Sequence, residues 1–102
     1  MKIAYVAGPY RSKWLVKRVF NILCARRIAI KYWKKGYAVI CPHMNSAFFD
    51  RYCDDEVFLQ AYLELIQFVD LVVISKRWKN SVGTKREIVR AKEFGKKVIF
   101  EQ

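Results

Sequence analysis

At 102 residues the chain is long enough for one compact core and too short for two. Apolar residues make up 54% and charged residues 28%, which excludes a disordered chain, and no apolar run is long enough to span a bilayer. The formal charge is +11, and residues 1 to 49 carry nearly all of it, with ten Lys/Arg and no Asp or Glu. Such an imbalance calls for an anionic partner or a solubility role, although a single surface lysine is more simply a solvated side chain.

The elements follow in order. KIAYVA, residues 2 to 7, reads as a first strand ending at Gly8-Pro9. Residues 14 to 35 read as a long helix, with Leu15, Val19, Ile22, Leu23, Ile30 and Trp33 near helical spacing. Lys31, Lys34 and Lys35 followed by Gly36 make a good stop, because cations suit a helix C-terminus and glycine the turn after it. YAVICP, 37 to 42, is a second strand, and 43 to 52 a loop. Residues 55 to 68 form a second helix, LVVIS at 71 to 75 a third strand, and 76 to 80 a loop. A third helix covers 82 to 94, stopped by Gly95, and KVIF at 97 to 100 is a fourth strand. No linker, repeat or low-complexity segment interrupts the series, so one domain over 1 to 102 is expected. No secretory leader pattern opens it, which predicts a cytoplasmic protein.

Alternating strands and helices predict an α/β fold of three layers: a four-stranded parallel sheet, order 2-1-3-4, between helices. Such sheets bind ligands beyond the carboxyl ends of their strands, where the order reverses. Three loops converge there: GPYRS, PHMNSAFFD and KRWKNSVG. Cys24, Cys41 and Cys53 are odd in number and contain no CxxC pair, so reduced, mostly buried thiols are expected. Cys41, His43 and Cys53 lack a fourth ligand and a familiar metal spacing, so no metal is expected.

Within the first loop, Gly8 permits close backbone approach, and Arg11 offers a planar fork suited to phosphate or carboxylate. Neither GxGxxG nor GxxxxGK[ST] is present. In the third loop Ser81 is a candidate N-cap, and the free amides after it suit an anion. Glu87 sits in the first turns of the helix that follows. The helix dipole favours its ionised form, and an ionised carboxylate can be a nucleophile. On spacing alone, a first-turn acid that merely stabilises the helix is the simpler reading. His43 is the sole histidine, a type more often structural than catalytic. Tyr10, Phe48 and Phe49 suit either stacking on a base or covering the core.

Taken in order, AGPYR, then GYAVxxPH, Asp70 opening the third strand, and WxxSxGxxxE resemble the nucleoside 2-deoxyribosyltransferase-like superfamily, closest to a small phage and bacterial branch. The resemblance spans nearly the whole chain. It implies a flavodoxin-like fold, no cofactor, and cleavage or exchange of the N-glycosidic bond of 2'-deoxynucleosides or their 5'-monophosphates. It puts Glu87 at the nucleophile's position and Tyr5 at that of a tyrosine orienting it. Arg11 and Ser81 match residues that hold a 5'-phosphate in monophosphate N-glycosidases, and His43 matches a residue beside the base. Gly8, Tyr10 and Gly83 belong to the same binding loops. The family's leaving-group acid falls on Tyr62, a poor acid–base group at neutral pH; Asp55, two turns earlier, and Asp50 are the nearby carboxylates. The chain stops after the fourth strand, without the segment that completes a neighbouring subunit's site in longer members. A homodimer or larger homo-oligomer is nonetheless implied.

Three functions stay open on the sequence: an N-glycosidase or deoxyribosyltransferase, a nucleotide-binding protein without turnover, and a nucleic-acid or protein-binding module using the basic first half. The third lacks the motif of any known nucleic-acid module.

Overall fold

A computed structural model describes residues 1 to 101. Its sheet has four parallel strands in the order β2-β1-β3-β4: β1 Ile3–Ala7, β2 Ala38–Ile40, β3 Leu71–Ile74 and β4 Lys97–Phe100. The four helices are α1 Leu15–Lys34, α2 Pro42–Asn45, α3 Asp55–Leu65 and α4 Val82–Glu93, with 3-10 turns at Phe49–Arg51, Ile66–Phe68 and Trp78–Asn80. This is the strand order expected from the alternation, and it matches the flavodoxin-like fold that the resemblance implies. The expected loop at 43 to 52 differs, since it contains α2 and a 3-10 turn. Pro42 starts α2 because its fixed φ and missing N–H suit a first helical position. The second predicted helix also tightens to a 3-10 turn after Leu65.

β3 is buried along its whole length, as expected for a continuous apolar run covered on both faces. Its start is tied to β1 twice. Ile3 N–H donates to the Asp70 carboxylate at 2.7 Å, and Asp70 N–H donates to the Ile3 carbonyl at 2.9 Å. Two cores flank the sheet. Tyr5, Leu63, Ile66, Val72, Ile74 and Ile88 meet on the α3–α4 side. Ala4, Val6, Ala25, Ile28, Tyr32 and Val73 meet under α1.

The face of α1 needs a correction. It buries Asn21, Ala25, Ile28, Ala29 and Tyr32. Of the larger apolar residues at helical spacing, Leu15, Val19, Leu23, Ile30 and Trp33 are exposed. Alanines at 25 and 29 let the helix axis approach the sheet closely, and bulkier side chains turn outward. α1 ends where expected: Gly36 adopts φ 93°, and Tyr37 N–H donates back to the Tyr32 carbonyl at 3.1 Å. The thiols are free, yet only half-buried at Cys24 and Cys41 and exposed at Cys53, so the expectation of mostly buried thiols does not hold. No helix among the described residues is long and apolar enough to cross a membrane.

Candidate active site

A cleft of about 1060 Å³ opens beyond the carboxyl ends of β1 and β3. The loop after β1 supplies Gly8, Tyr10 and Arg11 to it, α2 supplies His43, and α3 supplies Tyr62. The loop before α4 supplies Ser81, and α4 itself supplies Gly83 and Glu87. Eight of the nine candidate site residues therefore line one cavity; the ninth, Tyr5, lies behind it against Glu87.

Glu87 is 7% exposed. Its carboxylate accepts a short hydrogen bond from the Tyr5 hydroxyl, which β1 brings across 82 residues of sequence. Burial pushes the Glu87 carboxyl up to about 7, and the Tyr5 hydrogen bond works against that rise. Burial, and then the charge of Glu87, hold the Tyr5 hydroxyl well above its ordinary range. The proton in this pair thus belongs to tyrosine, and the carboxylate is the acceptor.

Tyr62 is buried beside this pair, its ring edge-on to Tyr5 with centroids 6.5 Å apart. Asn45 Nδ2 donates to its hydroxyl at 2.8 Å, and Ser46 Oγ lies 2.9 Å from it. These two residues were not anticipated from the sequence. Asn45 ends α2 and Ser46 follows it, and both side chains meet α3 at Tyr62.

Gly8 is required by close packing. A Cβ there would lie 2.0 Å from Ser75 Oγ and 3.0 Å from Ser75 Cβ. At Gly83 a Cβ would meet only Leu59, at 3.9 Å, an ordinary contact. Ser81 caps α4: its Oγ accepts from Thr84 N–H at 3.2 Å and from Thr84 Oγ1 at 2.9 Å. The remaining first-turn amides of α4 lie at the cleft, a natural seat for an anion.

His43 is 4% exposed. Its Nε2 lies 2.9 Å from the Pro9 carbonyl, which makes Nε2 the protonated nitrogen, and Nδ1 is buried without a hydrogen-bond partner. Burial lowers its basicity, so the ring is neutral near pH 7. Tyr10 stands edge-on to it at 5.8 Å, and the Tyr10 hydroxyl accepts from Phe48 N–H at 2.6 Å. Phe48 and Phe49 lie outside the cleft lining.

Arg11 is paired with Asp55, and more distantly with Asp50 at 3.7 Å. Arg18 also reaches Asp50, at 3.4 Å. Both carboxylates are thus engaged with arginine. Lys76, Arg77 and Lys79 add three cations to the same cavity from the loop after β3. The cation-rich KRWK run was the signal for them. Arg77 and Phe48, in the two loops bordering the cleft, adopt left-handed φ of 66° and 61°, which costs roughly 1 kcal/mol or more each for a non-glycine residue. Among the described residues no three metal-ligating side chains converge.

A search of curated protein sequences finds no match. Among solved structures, the chain is similar to a 2-deoxyribosyltransferase from Leishmania mexicana, with a TM-score of 0.70 and 18% identity. That match covers 98% of this chain and 63% of the other, so the chain spans less than two thirds of that protein. It is also similar to a 2-deoxyribosyltransferase from the psychrotolerant bacterium Bacillus psychrosaccharolyticus. There the TM-score is 0.63 and the identity 19%, over 96% of this chain and 70% of the other. At these identities the likeness is one of fold, and the fold is nucleoside 2-deoxyribosyltransferase-like. The chain itself belongs to the family described as a domain of unknown function, DUF4406, which matches residues 2–100.

Proposed function

We propose that this protein cleaves or exchanges the N-glycosidic bond of a deoxynucleoside 5'-monophosphate, with Glu87 as the nucleophile. The observation that supports this most is the buried Glu87 carboxylate at the cleft, held by the Tyr5 hydroxyl. Burial raises its basicity, and the tyrosine aims one oxygen and leaves the other for C1'. Attack there displaces the base and forms a glycosyl ester. Water or a second base then resolves it, as in retaining glycoside hydrolysis.

Arg11, Ser81 and the α4 amides hold the 5'-phosphate in this reading, aided by Lys76, Arg77 and Lys79. Phosphate binding then requires Arg11 to exchange its carboxylate partners for the ligand. His43 and Tyr10 bound the base side, with Gly8 and Gly83 leaving room for the ligand. Remote phosphate contacts align C1' with Glu87 and so raise turnover rather than binding alone.

Incubation with a panel of nucleotides and deoxynucleotides, with base release followed by chromatography, tests the reading. Wild-type protein is expected to release free base, and Glu87→Ala to release none; undiminished release by the variant removes Glu87 from this role. A second reading, nucleotide binding without turnover, is favoured by the Tyr62 hydroxyl, whose hydrogen bonds are taken by Asn45 and Ser46. It predicts retained, uncleaved ligand in the same assay.

A further inference from the structure

Breaking a C1'–N bond leaves an electron pair on the base. A neutral base departs as an anion unless a proton meets it, so its cleavage needs an acid. A base that already carries a positive charge departs neutral and needs none.

The cleft's acidic groups are already engaged. Tyr5 donates to Glu87. The Tyr62 oxygen receives Asn45 Nδ2 at 2.8 Å, and Ser46 Oγ lies 3.3 Å from the Pro42 carbonyl as well as beside Tyr62. Tyr62 and Ser46 share a 2.9 Å hydrogen bond, so the Tyr62 hydroxyl stays a phenol engaged on two sides. The single N–H of His43 goes to the Pro9 carbonyl. Asp55 pairs with Arg11, Asp50 accepts from Arg18, Glu56 from Arg86 and Glu101 from Lys31. A proton on Glu87 itself would remove the nucleophile. Among the described residues the cleft thus retains only hydroxyl, amide, ammonium and guanidinium donors, all weak acids near neutrality.

The lining also holds two aromatic residues, Tyr10 and Trp78, and an aromatic face attracts a cation.

We propose, resting on the Glu87 reading, that the substrate is a nucleotide whose base is already cationic, such as an N-alkylated purine or a pyridinium. Glu87 forms a bond to C1' as the C1'–N bond breaks, and that electron pair neutralises the ring nitrogen. Water then forms a bond to C1' as the ester C1'–O bond breaks. Its spare proton passes to solvent, and Glu87 returns as a carboxylate.

The test compares 2'-deoxyguanosine 5'-monophosphate with its N7-methyl derivative, which has the same sugar and phosphate and one added positive charge. Release is measured with wild type and with Glu87→Gln, after subtracting protein-free controls. The expected result is kcat/KM at least a hundredfold higher for the methylated nucleotide, with release abolished in the variant. A smaller ratio with release still dependent on Glu87 overturns the cationic-base inference and leaves the Glu87 reading standing. No protein-dependent release from either nucleotide, or release indifferent to Glu87→Gln, overturns both.

Discussion

A carboxylate as buried as Glu87 is a liability to the fold, and its sign can be worked out. The folded-state value of about 7 lies above the ordinary 4.5. The proton is therefore bound more tightly in the folded chain. Its contribution to stability is complete below pH 4.5 and is lost as pH rises through 7. The shift corresponds to about 3 kcal/mol at most. Glu87→Gln removes the titration and keeps an acceptor for Tyr5. Above pH 7 the variant is expected to be more stable than wild type by about 1–3 kcal/mol, and near pH 5 the gap should close. Denaturant titrations from pH 5 to 9 measure this, and parallel curves would refute it. His43 titrates with the opposite slope, but it is common to both proteins and cancels. The same ionisation sets activity: kcat/KM for base release should rise with pH through about 7 as the nucleophilic carboxylate forms. A flat rate between pH 5.5 and 8 counts against Glu87 as nucleophile.

Gly8 carries a second prediction at this scale. Gly8→Ala drives a methyl into Ser75, and overpacking of this kind costs about 1–3 kcal/mol. Adding Ser75→Ala removes the nearer clash and is expected to recover part of the loss, measured as a shift in denaturation midpoint.

Among the elements, α4 and α1 differ in how they meet solvent. α4 begins with a satisfied cap, and Ser81→Ala should cost about 1 kcal/mol through the lost Thr84 contacts. If the α4 mouth also holds phosphate, that variant raises KM for nucleotides more than it lowers kcat; an unchanged KM would reduce Ser81 to a cap. α1 has a second apolar face. Leu15, Val19, Leu23 and Ile30 project away from the sheet along its outer side, exposed among six helix cations and no acid. A homo-oligomer would cover this ridge. Sedimentation velocity is expected to report a dimer or larger species at micromolar concentration, with Leu23→Lys shifting it toward monomer. A wild-type monomer under those conditions would argue against self-association.

At the scale of the molecule, what positions the cleft is the reversal between β1 and β3, from which α1 leaves on one face and α4 on the other. Strand runs such as LVVIS and stop signals such as Gly36 were legible because they depend on local chemistry: continuous apolar β-branched residues, and a backbone conformation that glycine tolerates. The loops GPYRS and KRWKNSVG were legible as neighbours once the strand order was inferred, whereas Glu87 and Tyr5 were paired only through the family resemblance. The partners of Tyr62 and Arg11 were not legible. Nothing local says that Asn45 and Ser46 take the Tyr62 hydroxyl, or that Asp50 and Asp55 occupy Arg11. Spacing marked the apolar residues of α1 without revealing that they face outward, because which face meets the sheet depends on how closely the helix can approach it. The sequence by itself determined the element order, the sheet and the loops at its carboxyl edge, because periodicity and turn chemistry are properties of neighbouring residues. Only the tertiary structure decided the burial of Glu87, the hydrogen-bond partners in the cleft and the outer face of α1. Those depend on contacts between side chains tens of residues apart, where packing and desolvation decide.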